Sequence, residues 1–312
     1  MLNGLRRRVV RGLVTNHFPA NTIDRDPVIT SAAPRIRPRK SLGQHFLADG
    51  RVLTRIVNAA EIASQELVLE IGPGQGALTR RLVDRGAQVV AIELDHHLAS
   101  TLPDRLGNPP NLTVVEADAR KVDLKSLLGS GAVYKVLGNL PYYAANPIIR
   151  RFLEAPNQPQ LMVVTLQQEV ARSMAAAPGK MGFLSVAVQY YAETKVVCTV
   201  PPRAFRPPPK VTSAVVRLDI RPVPPVDVAE VEAFFALVRA GFASPRKQLR
   251  NSLAHGLGVS TVAIAHLLDS LNLDGSRRPA TLSMVEWAVI HSAWERREKV
   301  GNPGLCQTES HP

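Results

Sequence analysis

Between residues 49 and 220, short apolar runs alternate with amphipathic stretches at regular intervals. Apolar runs of about five residues that end in a turn are typical of strands buried on both faces, and the stretches between them have the helical period. The predicted strands are 67–71, 89–92, 113–115, 133–137 and 161–166. The predicted helices are 49–62, 77–85, 95–105 and 147–154. This alternation predicts βαβ units and a parallel sheet with helices on both faces.

The pattern changes towards the C-terminus. Apolar stretches at 196–200 and 214–220 flank a proline-rich loop and predict an antiparallel pair that closes the sheet. Residues 222–225 predict a linker, and beyond it only the helical period is found, at 228–242, 246–255, 261–271 and 284–295. The expected fold class is therefore α/β: a Rossmann-like sheet, mostly parallel with an antiparallel closing strand, plus a small C-terminal all-α domain.

Composition adds a charge argument to this outline. Lys and Arg number 38 against 26 Asp and Glu, and this net charge of +12 favours a polyanionic partner. Arg246, Lys247 and Arg250 form one concentration of positive charge near the C-terminus. No apolar run approaches the ~18 residues that a membrane helix needs, and Cys198 and Cys306 lack the spacing of a disulfide framework or a metal site. We therefore expect a reducing compartment, no metal and no membrane association.

A second concentration of positive charge lies at the N-terminus. Residues 1–40 hold nine basic residues and two acidic ones, and residues 1–38 show neither helical nor strand periodicity. We expect a basic flexible extension over 1–38. A transit peptide is the alternative, because arginines stand close to Met1 and no acidic residue precedes Asp24.

A glycine-rich turn, Gly72-Pro73-Gly74-Gln75-Gly76, joins the first strand to the helix after it, and such turns let a ligand approach the backbone. A nicotinamide dinucleotide site stays open, because Gly72, Gly74 and Ala77 satisfy its fingerprint. Glu93 ends the next strand, where a carboxylate can accept from both ribose hydroxyls of either cofactor. Asp118 follows the third strand and can accept from a cofactor's adenine amine. The dinucleotide fingerprint has no such acid, so S-adenosylmethionine is favoured.

The fourth strand runs into Asn139-Leu140-Pro141-Tyr142. An adenine N6 amine is a poor nucleophile, because its lone pair is delocalised into the ring. The Asn139 side-chain oxygen and the Leu140 carbonyl could accept its two protons and orient the nitrogen. Pro141 brings no competing N–H and stiffens the loop, and Tyr142 offers a flat face for a base taken out of its stack. Catalysis by such a site is mostly orientation and electrostatics.

With these residues the chain resembles the KsgA family, the small-subunit ribosomal RNA adenine N6,N6-dimethyltransferases, over residues 38–296. The resemblance depends on six blocks: Lys-Ser-Leu-Gly-Gln-His-Phe-Leu at 40–47, the glycine turn within 71–79, Ile-Glu-Leu-Asp at 92–95, Asn-Leu-Pro-Tyr at 139–142, the block at 205–218, and the basic block at 246–253. It implies an S-adenosylmethionine-dependent methyltransferase domain over 39–222 and a helical RNA-binding domain over 223–298. The polar composition of residues 299–312 predicts a loose tail.

The resemblance also implies roles for individual residues. Cofactor contacts are expected from the N-terminal segment and the strand ends, at His45, Leu47, Gly72, Gly74, Glu93, Asp118 and Asn139. His45 stands where some relatives carry Asn. Phe205 is expected to pack on the target base opposite Tyr142. Arg246, Lys247 and Arg250 are expected to bind the RNA backbone. Asn139, Leu140, Pro141 and Tyr142 form the expected catalytic centre.

The implied substrate is a pair of adjacent adenines in the 3′-terminal hairpin of small-subunit rRNA, each receiving two methyl groups, with the immature small ribosomal subunit as partner. We expect a cytoplasmic monomer, or an organelle-matrix protein if the N-terminus is a transit peptide. Two alternatives stay open: an antibiotic-resistance enzyme that methylates one adenine of large-subunit rRNA, and a non-catalytic, transcription-factor-like relative. Intact Asn139 and Tyr142 speak against the second.

Overall fold

The computed structural model describes residue 39 and residues 43–301, with side chains as far as Arg297. The predicted extension over 1–38, the first three residues of the 40–47 block, Cys306 and the rest of the tail from residue 302 lie outside the described residues. No helix in the described ranges is both long and apolar enough to cross a membrane.

A seven-stranded sheet forms the centre of the fold, in the order β4-β3-β2-β5-β6-β9-β7. Its strands are β2 (Leu67–Ile71), β3 (Gln88–Glu93), β4 (Leu112–Glu116), β5 (Tyr134–Asn139), β6 (Leu161–Gln167), β7 (Ala192–Val200) and β9 (Ser213–Ile220). The first five strands in this order are parallel, and β9 runs antiparallel to both β6 and β7. The predicted fold class, a mostly parallel sheet with an antiparallel closing pair, is confirmed.

A two-stranded antiparallel ribbon, which the pattern did not predict, joins two distant parts of the chain. Here β1 (Phe46–Leu47) pairs with β8 (Phe205–Arg206), and Leu47 is the register partner of Phe205. The backbone N–H groups of Ala48 and Asp49 donate to the Ala204 carbonyl, which extends the contact. The segment before the first helix is thereby held against the loop between β7 and β9.

Among the described residues, seven helices accompany the sheet: α1 (Gly50–Ala60), α2 (Ala77–Asp84), α3 (His96–Leu106), α4 (Leu124–Leu128), α5 (Ala145–Leu153), α6 (Gln168–Met174) and α7 (Phe183–Tyr191). Asp49, Asp95 and Asp123 begin α1, α3 and α4, and each carboxylate accepts from two backbone N–H groups of the first turn. No element was predicted between 167 and 195. The near-continuous apolar sequence of α7 runs directly into β7, so neither the helical nor the strand period is visible there.

Consecutive residues of the central strands face opposite sides of the sheet and are buried on both. Val68 packs in one apolar cluster with α1 and α2, whereas Leu69 packs in the other with α5. Both side chains have no exposed surface. This explains why the strands read as uninterrupted apolar runs, which is the pattern of parallel sheets covered on both faces.

The C-terminal part consists of α8 (Val231–Gly241), α9 (Leu249–Leu257), α10 (Thr261–Ser270) and α11 (Met284–Gly301) around the fully buried Trp287. Val186 and Tyr190 of α7 belong to the same apolar cluster. Four predicted boundaries are wrong by three residues or more: β7 begins at Ala192 rather than 196, α8 at Val231 rather than 228 and α9 at Leu249 rather than 246, and α11 runs past 295 to Gly301. Arg246 and Lys247 instead form a turn, closed by a backbone bond from Lys247 to Ser244.

Candidate active site

An open cavity of about 100 Å³ lies at the carboxyl ends of β2, β3 and β5, beneath the segment that leads into β1. Parallel strands bring their carboxyl ends to one edge, which is where ligands bind in open α/β sheets. Ten predicted site residues line the cavity: His45, Gly72, Gly74, Glu93, Asp118, Asn139, Leu140, Pro141, Tyr142 and Phe205. Leu47 lines a smaller adjoining cavity, together with Gly72, Gly74 and Asn139.

The glycine turn has a backbone that few other residues adopt. Gly72, Gly74 and Gly76 have φ angles of 67°, 56° and 83°, in the left-handed region. A Cβ atom on Gly74 would lie 2.8 Å from the Phe46 ring. The turn is therefore shaped by two constraints, backbone conformation and the close approach of the N-terminal segment.

Glu93 is held by backbone groups on both of its carboxylate oxygens. Oε2 accepts from the N–H of Gly74 at 3.0 Å, and Oε1 accepts from the N–H of Asp95 at 2.9 Å. The residue is 6% exposed, and this burial raises its pKa, although the backbone donors oppose the shift. Each oxygen keeps a second lone pair, so the carboxylate can hold its position and still accept from a ligand.

Asp95, which the sequence argument left out, joins the same network. Its Oδ1 caps α3 by accepting from the N–H groups of His97 and Leu98. Its Oδ2 accepts from the Gln44 side-chain amide at 3.2 Å and lies 3.3 Å from the Arg39 guanidinium. One buried carboxylate thus ties the start of a helix to the segment that covers the cavity.

Asp118 carries a partner that the sequence did not indicate. The Arg120 guanidinium donates to both carboxylate oxygens, with Nε 3.0 Å from Oδ1 and Nη2 2.7 Å from Oδ2. This pairing lowers the pKa of Asp118. The carboxylate faces the cavity as an ionised group whose orientation is fixed by a bidentate contact.

A second buried carboxyl, Glu70, lies on β2 just before the glycine turn. It is 1% exposed, and burial, reinforced by the negative charge of Glu93, raises its pKa to about 8 although Thr79 opposes the shift. Glu70 lines the smaller cavity and not the main one. At neutral pH it is therefore a protonated acid beneath the glycine turn.

The Asn139 side chain has a defined orientation. Its Nδ2 donates to the His45 carbonyl oxygen at 2.7 Å. A carbonyl can only accept, so the amide nitrogen must face His45 and the amide oxygen must face the other way. The N–H of Leu140 donates to the Thr165 carbonyl at 3.1 Å, which anchors the loop after β5 to β6. Oδ1 of Asn139 accepts no hydrogen bond from the described residues.

Tyr142 is fixed at its hydroxyl and flanked at its ring. The hydroxyl lies 2.6 Å from Oγ of the buried Ser213. Burial raises the pKa of Tyr142, although the hydrogen bond to Ser213 opposes this shift. The His45 ring is 6.1 Å away and tilted by 26°. Phe205 is only 1% exposed and packs in the apolar core, where its side chain forms part of the cavity lining. Ser213 and the His45 ring are contacts that sequence spacing could not supply.

Arg246, Lys247 and Arg250 are exposed and do not line the cavity. None of the three has an acidic partner within 4.0 Å among the described residues. The described ranges also hold no cluster of His, Cys, Asp or Glu that could bind a metal ion.

The sheet order, the glycine turn and the acids at successive strand ends define a class I methyltransferase. The ribosomal RNA adenine dimethylase family matches residues 35–289. The chain belongs to the ribosomal RNA adenine dimethylase family.

Curated relatives agree with this assignment. A protein named ribosomal RNA small subunit methyltransferase A from Dehalococcoides mccartyi is 44% identical, covering 86% of this chain and 90% of the relative. Its namesake from Pelotomaculum thermopropionicum is 45% identical, covering 82% and 90%. The crystal structure of the 23S rRNA methyltransferase ErmE is similar with a TM-score of 0.65 and 30% identity, covering 80% of this chain and 99% of that one.

Proposed function

We propose that this protein is an S-adenosylmethionine-dependent rRNA adenine N6,N6-dimethyltransferase, and that it modifies two adjacent adenines in the 3′-terminal hairpin of small-subunit rRNA. The observation that supports this best is the orientation of Asn139, whose amide oxygen is turned away from its anchor on His45. Family membership indicates the class of reaction. Oδ1 of Asn139, at the end of β5, is the acceptor that could orient the amine.

The residues present fit the cofactor. Glu93 offers one lone pair on each oxygen to the two ribose hydroxyls, and Gly72 and Gly74 let the methionine end approach the backbone. Asp118 would accept from the adenine amine of the cofactor, while Arg120 keeps it ionised. His45 and Leu47 would contact the cofactor from the opposite side. When bound, S-adenosylmethionine supplies a methyl group on a positively charged sulfur.

The protein's own contribution to the chemistry is orientation of the attacking nitrogen. Oδ1 of Asn139 and the carbonyl oxygen of Leu140 would accept the two N6 protons of the target adenine and draw the lone pair out of the ring. Pro141 places no N–H near these acceptors. Tyr142 would stack on the base, with its ring plane set by the bond to Ser213, and Phe205 would contact the other face. Preorganised acceptors of this kind need no rearrangement during the reaction.

The helical part over 223–298 would bind RNA. Arg246 and Lys247 on the turn and Arg250 on α9 are exposed cations without acidic partners among the described residues, as phosphate contacts require. We place the methyltransferase domain at 39–222 and expect a monomer that acts on the immature small subunit. We expect it in the cytoplasm, or in an organelle matrix if the N-terminus is a transit peptide.

Two other functions are weaker. The large-subunit enzyme ErmE is 30% identical, whereas the relatives named for the small subunit are 41–45% identical. A purely binding role does not require the orientation of Asn139.

Labelled S-adenosylmethionine should be incubated with undermethylated small and large subunits, and the modified nucleoside and its position identified. Dimethyladenosine confined to the 3′-terminal hairpin of small-subunit rRNA is expected, and its absence there overturns the proposal.

A further inference from the structure

Six arginines lie on the neighbouring helices α1 and α2 and at the end of α3. They are Arg51 and Arg55 of α1, Arg80 and Arg81 of α2, Arg85 directly after α2, and Arg105 of α3. We call this surface the arginine face. None of the six forms an ion pair within 4.0 Å with an acidic residue in the described ranges. Helix α1 contains no acidic residue, and α2 contains only Asp84.

Neutral acceptors on α1 hold the arginines of α2 in place. Nη1 of Arg81 donates to Oγ1 of Thr54 at 3.3 Å, and Nη2 of Arg85 donates to Oδ1 of Asn58 at 2.9 Å. Residues four apart lie on the same side of a helix, so the two bonds are one turn apart along the groove between α1 and α2. A neutral acceptor orients a guanidinium without cancelling its charge. These arginines are therefore positioned in advance for an anion.

The arginine face also reaches the glycine turn. Nη2 of Arg80 donates to the Arg105 carbonyl oxygen at 3.2 Å, and Nη2 of Arg105 donates to the Gln75 carbonyl oxygen at 2.7 Å. On their inner side, the two helices contribute Leu53 and Leu78 to the lining of the smaller cavity. The arginine face is therefore the outer surface of the helices that border this cavity.

The spacing of the arginines is unfavourable for the isolated protein. Arg51 and Arg55 are exposed and four residues apart on α1, and Arg81 and Arg85 repeat this spacing at α2. Like charges four residues apart on a helix repel each other and destabilise it. A bound polyanion would remove this repulsion as well as form new contacts. Charge complementarity therefore favours a ligand with several negative charges.

The other side chains of the face indicate which polyanion fits. Neither α1 nor α2 contains an aromatic residue or a large exposed apolar side chain. The face therefore lacks the apolar anchors with which helices enter a membrane surface, and the platforms on which unstacked bases lie. Arginine forks match the oxygens of phosphate groups. These properties fit the backbone of double-helical RNA, which proteins recognise mainly by its shape and its phosphates.

We propose that the arginine face binds the phosphate backbone of a double-helical segment of the ribosomal RNA, an inference that rests on the proposed function. It is a second contact on the methyltransferase domain, separate from Arg246, Lys247 and Arg250. Two contacts on one RNA raise the overall affinity, because the second forms within a complex that already exists. The contact carries no base readout, so it adds affinity without selecting the target adenines.

The test removes two exposed charges from the full-length protein. The first variant combines Arg51→Gln with Arg55→Gln. The control combines Arg150→Gln with Arg172→Gln, which removes the same charge from exposed positions on α5 and α6. Those helices pack in the apolar cluster on the other side of the sheet. Filter binding measures dissociation constants for an RNA duplex of mixed sequence and for undermethylated small subunits over a series of salt concentrations. Calorimetry measures the affinity for S-adenosylhomocysteine.

The α1 variant should bind the duplex severalfold more weakly at low salt. Its slope of log affinity against log salt should be shallower by about 1.8, since each lost phosphate contact on duplex nucleic acid contributes about 0.9. The affinity for S-adenosylhomocysteine should stay unchanged. The unfolding temperature at low salt should not fall, because the substitutions remove a repulsion. The control variant should keep the wild-type slope, and small subunits should show the same order of affinities.

Four results overturn the inference. The α1 variant keeps the wild-type slope, the control variant changes by the same amount, or the weaker affinity comes with a lower unfolding temperature, which would make Arg51 and Arg55 structural. The fourth is a loss of binding to phosphatidylglycerol vesicles while duplex binding is retained, which would assign the face to a membrane. If the wild type forms no dimethyladenosine in small-subunit rRNA, the proposed function fails. The salt slopes on the duplex do not depend on methylation, so the two failures are distinguishable.

Discussion

The two walls of the cavity are built in different ways. The cofactor wall, defined as Gly72, Gly74, Glu93 and Asp118, contains carboxylates that are already held by backbone N–H groups or by Arg120. The amine wall, defined as His45, Asn139, Leu140 and Tyr142, contains no carboxylate, and its acceptors are neutral dipoles. On the proposed function, fixed charge therefore belongs to the side that would bind the cofactor, whereas oriented neutral groups belong to the side that would hold the attacking amine.

This division follows from what each wall has to do. A carboxylate that accepts from ribose hydroxyls or from an amine binds its ligand more tightly when its position is fixed beforehand, because its side chain then loses no further freedom on binding. An attacking amine needs acceptors that hold its protons in the ground state without fixing it as an ion pair. The four substitutions below test the two walls and the surfaces outside them, from the largest expected effect to the smallest.

Asn139→Ala removes the oriented oxygen from the amine wall. We expect the rate of methyl transfer to fall by about 10²- to 10³-fold, the usual loss when one preorganised polar group is removed, with RNA affinity retained. Single-turnover kinetics and fluorescence anisotropy measure the two quantities. Asn111→Ala is the matched control, because Asn111 also donates to backbone carbonyls, those of Val83 and Ala87, and does not line the cavity. Equal losses in both variants would assign Asn139 a structural role.

Glu70→Gln tests the acid beneath the cofactor wall. Folding raises the pKa of Glu70 from 4.5 to about 8, so between these values the folded state binds the extra proton and stability falls as the pH rises. At pH 8 the variant should exceed the wild type in free energy of unfolding by roughly 2–4 kcal/mol, at about 1.4 kcal/mol per pKa unit with allowance for relaxation.

Urea unfolding at pH 5, 6.5 and 8 measures this difference. The control is Glu66→Gln, since pairing with Lys135 lowers the pKa of Glu66 and the same substitution should destabilise. An advantage of Glu70→Gln that does not grow with pH would contradict the assignment of a buried proton.

Glu93→Gln tests the cofactor wall directly. The amide places an NH₂ group against one of the backbone N–H groups that donate to Oε1 and Oε2 in the wild type. We expect the dissociation constant of S-adenosylmethionine to rise about 10- to 100-fold, which is the usual effect of losing a hydrogen bond to a charged group. Calorimetry measures the constant. Glu116→Gln serves as control, because Glu116 is the register partner of Glu93 on β4 but does not line the cavity. Unchanged affinity in Glu93→Gln would remove this residue from the site.

Arg250→Ala tests the surface outside both walls. We expect RNA affinity to fall severalfold and the slope of log affinity against log salt to become shallower by about 0.9, the value for one phosphate contact on duplex nucleic acid. Methyl transfer at saturating RNA should stay unchanged. Arg297→Ala is the control, since Arg297 is exposed on α11 but donates to the Ala263 carbonyl. Identical salt slopes in both variants would place RNA binding elsewhere.

The sequence predicted the parts of this molecule that depend on periodicity and on strand ends. Strand β2 was predicted at 67–71 and is found there, and the four strand-end motifs meet at one cavity. Two kinds of feature were not predicted. Helix α7 lies in a stretch where apolar residues are too continuous to show a period, and α6 is only seven residues long, about two turns. Side-chain partners such as Arg120 for Asp118 and Ser213 for Tyr142 depend on rotamers and on tertiary contacts, which residue spacing does not specify.

The β1–β8 ribbon has a consequence for how the protein is assembled and monitored. The hydrogen bond from His45 to Pro207 beside it spans 162 positions of the chain, so this wall forms only after a very long loop has closed. Contacts of such sequence separation are slow to form and open more readily than the sheet they cover. The amide hydrogens of Phe46 and Leu47 should therefore exchange faster than those of β2. A ligand on the cofactor wall should slow their exchange, which makes these two amides a direct reporter of occupancy.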